Sequence, residues 1–136
     1  DSRRDLSGSL MTPADLKIRR EALGLSGEQL AARCGIQSRS VRRWEAGFTP
    51  VPDFVEDVLL EIEVFTDRLV AVSVAEAASQ FEASADDVIE IQAYATDEDM
   101  WAAHPDWEPM PASWFRMVCW RVSEELPADV TFHFVP

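Results

Sequence analysis

Residues 26–47 read SGEQLAARCGIQSRSVRRWEAG. Three arginines, Arg39, Arg42 and Arg43, crowd into five positions of this stretch, in a chain whose formal charge is −13. At about 100° per residue, a helix from Ser38 to Ala46 turns Val41 and Trp44 inward. Arg39 and Arg43 then share one ridge on nearly the opposite side, flanked by Arg42 and Ala46. Just upstream, Ser26 and Gln29 have capping-box spacing, which predicts a helix start at Ser26. Leu30, Ala31 and Cys34 give that helix an inner face, and Gly35 makes the turn. Gly47, with Pro50 and Pro52 beyond it, ends the arginine-bearing helix. Two short helices joined by a tight turn, the second displaying donors on its outer face, form a helix-turn-helix arrangement. That arrangement presents its second helix to the major groove of duplex DNA.

Arginine suits that task, because its planar fork matches guanine O6 and N7 together. Gln37 and Ser38 sit where they reach bases or phosphates beside the helix start. Backbone N–H groups near Ser26 and Gly27 suit a phosphate. Arg33 and Thr49 complete the candidate DNA-binding set of Ser26, Gly27, Arg33, Gln37, Ser38, Arg39, Arg42, Arg43 and Thr49.

Outward from this stretch, a first helix is predicted over Pro13–Leu23, capped by Thr12, opened by Pro13 and ended by Gly24. Downstream, Phe54, Val58, Ile62, Phe65, Leu69 and Val72 recur at spacings of three and four from Pro52 onward. Val55, Leu59 and Val70 widen the stripe beyond what a surface helix of a monomer requires. Ser73 and Glu76 mark a break, so this segment is one helix or a helix pair. After Ala85 the pattern changes. VIEIQAY (Val88 to Tyr94) alternates as a strand, Thr96 caps a short helix DEDMWAAH, and PDWEPMPAS is a proline-bearing loop. WFRMVCWRV (Trp114 to Val122) reads as a largely buried strand. DVTFHFV alternates again, with Val130, Phe132 and Phe134 on one face.

The expected fold is α+β: an N-terminal helix-turn-helix domain (12–51), a long connecting helix or helix pair (52–84), and a small C-terminal α/β domain of about three strands (85–136). Residues 1–11 lack periodicity and read as an expression leftover, with Met11 as the natural start. The C-terminal domain is too small to bury its aromatics alone, which points to a homodimer.

The charge is unevenly placed. Residues 11–50 hold seven basic and four acidic side chains, a net of +3, and residues 51–136 hold three basic and nineteen acidic, a net of −16. Local potential, acting over roughly a Debye length of ~8 Å, governs docking on DNA, so the two halves take separate tasks. With 47% apolar residues, five tryptophans and seven phenylalanines, a folded core is expected. Two cysteines, Cys34 and Cys119, make no disulfide framework and read as inert thiols. With only two histidines beside the two cysteines, no structural zinc site is expected, and no cofactor is implied. Asp86, Asp87 and the run Asp97 to Asp99 read as helix amino ends rather than a metal site. No apolar run approaches the ~20 residues of a membrane span. No secretory signal is visible, and a cytoplasmic protein is expected. No histidine has a spaced nucleophile or carboxylate partner, so no enzyme is expected. The four tryptophans of the second half read as core and interface packing rather than a ligand pocket.

Residues 14–55, through LKIRREALGLS, EQLAARCGI and SVRRWEAG, resemble the Xre/Cro-type helix-turn-helix proteins. The resemblance implies that Arg20 pairs with Glu45, bracing the first helix against the third. It places Ser38, Arg39 and Arg43 where base readers sit. Gly27 stands where many members have a glutamine that reads a base, so more specificity rests on Arg39 and Arg43. The longer string SRSVRRWEAGFTPVPDFVEDVLLEIE resembles the phage-linked repressors associated with anti-CRISPR operons and the related YdiL-like proteins. That likeness, which includes CWRVSEEL further on, implies a dimerising C-terminal domain and ranks Arg39 first for DNA contact. The resulting expectation is a homodimeric repressor on an inverted-repeat operator of its own operon. Two alternatives stay open: an antitoxin-type autoregulator whose acidic half binds a protein partner, and an RNA-binding translational regulator.

Overall fold

The computed structural model describes residues 10–82 and 87–136. The reading of the first residues as a leftover and the acidic pair member Asp86 lie outside the described residues, except for Leu10 and Met11. The chain divides into two compact units between Glu63 and Val64. That division falls inside a helix, away from the composition changes near residues 51 and 85.

The first unit is helical. α1 spans Pro13–Ala22, α2 Gly27–Cys34 and α3 Ser38–Glu45. Each of the first two begins with a reciprocal cap. The Thr12 hydroxyl accepts from the Asp15 N–H and the Asp15 carboxylate accepts from the Thr12 N–H, both at 3.0 Å. The backbone and side-chain hydrogen bonds from Thr12 hold the Asp15 carboxyl below its usual range. Ser26 and Gln29 repeat the device, at 3.1 and 2.8 Å. These caps satisfy amides that a helix start otherwise leaves open. Gly24, Gly35 and Gly47 all have positive φ, near 70–81°, which is why glycine ends each helix. Leu16, Leu30, Val41 and Trp44 are buried between the three helices.

α4 runs Asp53–Glu82 as one continuous helix, with no break at Ser73. The segment holds neither glycine nor proline, and alanines 75, 77 and 78 favour the helix strongly, so a serine alone does not interrupt it. Its opening turns bury Val55, Leu59 and Ile62 in the first unit.

The second unit contains the rest of α4, β1 (Val88–Ala93), α5 (Asp97–Ala103), a single 3-10 turn at Pro105–Trp107, α6 (Ala112–Glu124) and β2 (Asp129–Phe134). Thr96 caps α5 as its position predicts, accepting from the Asp99 N–H at 3.1 Å. β1 and β2 pair in parallel, Val88 opposite Asp129 through Ala93 opposite Phe134. Among the described residues the sheet therefore has two strands, not three.

The expected middle strand, Trp114 to Val122, is the helix α6. Trp114, Val118 and Val122 are buried at helical spacing of four, with Cys119 beside them, while Arg116 is exposed on another face. A parallel pair of strands needs a crossover of a dozen or more residues, and α5 and α6 supply it. The core of this unit is aromatic. Trp114 is fully buried, stacks on Phe65 with centroids 5.9 Å apart, and meets Trp107 edge-on at 5.4 Å. Its Nε1 donates to the Thr66 hydroxyl at 2.9 Å. His104 ends α5, as expected, and lies flat on Trp107 at 3.7 Å. Among the described residues no cluster of His, Cys, Asp and Glu has the grouping of a metal site, and no helix is long and apolar enough to cross a membrane.

Candidate nucleic-acid interface

α3 begins at Ser38 after Gln37, whose side chain takes no part in the cap and is exposed. Its apolar residues, Val41 and Trp44, are buried against the first unit. That facing turns Arg39, Arg42 and Arg43 outward, and all three are exposed.

Besides this packing, one ion pair ties α3 to α1. Arg20 Nε donates to Glu45 Oε2 at 2.7 Å, and Nη2 donates to Oε1 at 2.8 Å. The remaining terminal nitrogen donates to the Leu25 carbonyl at 2.8 Å. The side chains are only 11% and 13% exposed, so α1, α3 and the connection before α2 are tied through a bidentate pair sheltered from water. Hydrogen bonding to Glu45 raises the Arg20 guanidinium above its ordinary value. The pairing implied by the family resemblance is present in the structure.

The structure sorts the described arginines of the first unit into two sets. Arg19 is bound by Glu63 at 2.6 and 3.0 Å and approached by Glu56 at 3.8 Å. Arg20 is bound by Glu45, and Arg33 reaches Glu61 at 3.5 Å. The three arginines of α3 form no ion pair with a described carboxylate. Arg42 instead donates to the Ser38 hydroxyl at 3.2 Å, one helical turn back. The pairing partners Glu56, Glu61 and Glu63 all lie on α4, so α4 neutralises the flank and leaves the α3 face positive. A phosphate would have to compete with Glu61 for Arg33. Sequence reasoning gave no sign of this, because the partners stand 28 and 44 positions from the arginines they bind.

At the start of α2 the Ser26 N–H is already taken by Gln29, so the amides of Gly27 and Glu28 are the ones free of intrahelical acceptors. Gly27 packs beneath α3: a Cβ there would stand 3.6 Å from Val41 Cγ1, an ordinary contact. Thr49 is half-buried and lines a small hollow with Pro13, Trp44 and Phe48. Cys34 is half-buried rather than fully inside, and burial pushes its thiol up. Cys119 in the second unit is buried, and desolvation pushes it up to about 11.

Residues 14–62 match the family model of a helix-turn-helix domain. No curated protein matches the chain. The matched span includes α2, α3, nearly all of α1 and the first turns of α4, so Glu56 and Glu61 lie within it and Glu63 one residue beyond. Within it, α2 and α3 are the consecutive helices joined by the turn at Gly35.

The sequence reading passed over one residue of this face. Phe48 is 73% exposed just beyond α3, and its ring lies under the Arg43 guanidinium at 5.8 Å.

Proposed function

We propose that the chain is a sequence-specific DNA-binding transcriptional repressor, acting in the cytoplasm as a homodimer on an inverted repeat, with its own operon as target. The observation that carries the reading is the selective neutralisation among the arginines of the helix-turn-helix domain: Arg19, Arg20 and Arg33 meet carboxylates, while Arg39, Arg42 and Arg43 on α3 meet no described carboxylate. Occupying a promoter would then block polymerase sterically. The narrower kinship to anti-CRISPR-associated repressors belongs to the same reading and is carried by WEAGFTPVPD and the long helix after it. Replacing Arg39 with alanine is expected to cost ~1–3 kcal/mol of operator binding and to relax base preference at one position. Wild-type affinity in that variant, measured by titration at fixed salt, would put the base-reading residue elsewhere. An RNA competitor in the same titration separates DNA from RNA recognition.

The dimer rests on the second unit. Phe132 and Phe134 pair in register with Ile91 and Ala93, so the four side chains share one face of the sheet. α6 packs on β1 and leaves Phe132 and Phe134 exposed at 42% and 60%. With Trp120, Cys119 and Ala93 they line an apolar hollow of about 280 Å3. A second copy covering this face accounts for aromatics that a lone two-stranded sheet leaves in water. Phe134→Asp is expected to halve the mass measured by light scattering and to leave helical content unchanged. An unchanged mass would move the dimer contact to another surface. Two recognition helices in such a dimer would sit about one helical turn apart, ~34 Å.

A further inference from the structure

We infer that Phe48 is a positioning residue for DNA reading: it holds the Arg43 guanidinium in place at the end of the recognition helix. The inference rests on the DNA-binding reading above and adds a residue to it. The backbone sets the geometry. α3 ends with Gly47 at φ 81°, the Gly47 N–H donates to the Trp44 carbonyl at 3.1 Å, and the Phe48 N–H donates to the Arg43 carbonyl at 3.0 Å. These two bonds define a Schellman ending, in which the residue after the glycine folds back onto the residue five positions before it. Ordinarily that return makes an apolar contact. Here it brings an aromatic ring beneath a guanidinium, 5.8 Å from carbon to centroid, within cation–π range.

The three arginines of α3 are therefore not equivalent. Arg42 is tethered to Ser38 and Arg43 rests on Phe48, whereas no such support is seen for Arg39 among the described residues. A flexible side chain must be ordered before it can grip a base with both arms of its fork, and ordering it beforehand lessens the loss on binding. A ring 73% exposed to water makes little contribution to the core, so its placement calls for another role.

The test uses duplexes selected by the wild-type chain from a random library. Phe48→Ala is expected to bind them about two- to five-fold more weakly and to lose preference at the same base pair as Arg43→Ala. Phe48→Trp should restore both, Phe48→Leu neither. In an Arg43→Ala background, Phe48→Ala should have no further effect. The melting temperature of Phe48→Ala should match the wild type. If Phe48→Ala keeps wild-type affinity and preference, or weakens binding to all duplexes alike with a lowered melting temperature, the positioning role is wrong while DNA reading stands. If the wild-type chain itself selects no sequence, the DNA reading fails and this inference with it.

Discussion

Glu45→Ala is expected to destabilise the helix-turn-helix unit by about 3–5 kcal/mol, because it leaves the Arg20 guanidinium with an uncompensated charge where water reaches poorly. The pair is about one-tenth exposed, so solvent screening offers little relief. In the variant both arms of the fork lose their acceptors, and only the bond from the third nitrogen to the Leu25 carbonyl remains to satisfy the guanidinium. Urea unfolding followed by the fluorescence of Trp44, with the other tryptophans replaced by phenylalanine, measures the loss. The double variant Arg20→Met, Glu45→Leu should recover much of it, since the cost lies mainly in the orphaned charge rather than in the missing attraction. A loss below about 1 kcal/mol in Glu45→Ala would mean that the pair behaves as a surface contact. The same substitution bears on function: with α3 no longer tied to α1, the arginine face loses its fixed orientation.

The other large effect is expected at Trp114. Trp114→Ala should cost the second unit about 3–5 kcal/mol, the range for emptying a buried indole site. The side chain is fully buried among Phe65, Trp107 and Phe115. Trp114→Phe keeps most of that packing and removes the Nε1 donor to Thr66, so its cost should be nearer 1 kcal/mol. Hydrogen exchange resolved along α6 and β1 reads both. Equal costs for the two variants would show that the hydrogen bond, and not the aromatic packing, dominates.

What was legible in the sequence was local. Thr12 and Thr96 as caps, Ser26 paired with Gln29, and the glycines 24, 35 and 47 fix helix ends through neighbours three or four residues away, and each is where it was expected. The inward Val41 and Trp44 and the outward arginines followed from helix period alone. WFRMVCWRV was misread because a short run of Trp, Phe, Val and Cys carries strand preference, and that preference yields to burial pattern. The spacing of Trp114, Val118 and Val122 already favoured a helix once Pro111 and Ala112 were counted into its start. The carboxylate partners of Arg19 and Arg33 and the seat of Arg43 on Phe48 were not legible. The first two depend on α4 returning past α1 and α2, and the third on the backbone reversal at Gly47.

Selection of the wild-type chain on random duplexes, at ~150 mM salt where weak electrostatic binding is suppressed, tests the central claim most directly. The account predicts enrichment of a palindrome with guanines at symmetric positions, lost at one symmetric pair of positions in Arg39→Ala. Recovery of no sequence above the unselected library would contradict it, and the arginine face of α3 would then serve another partner.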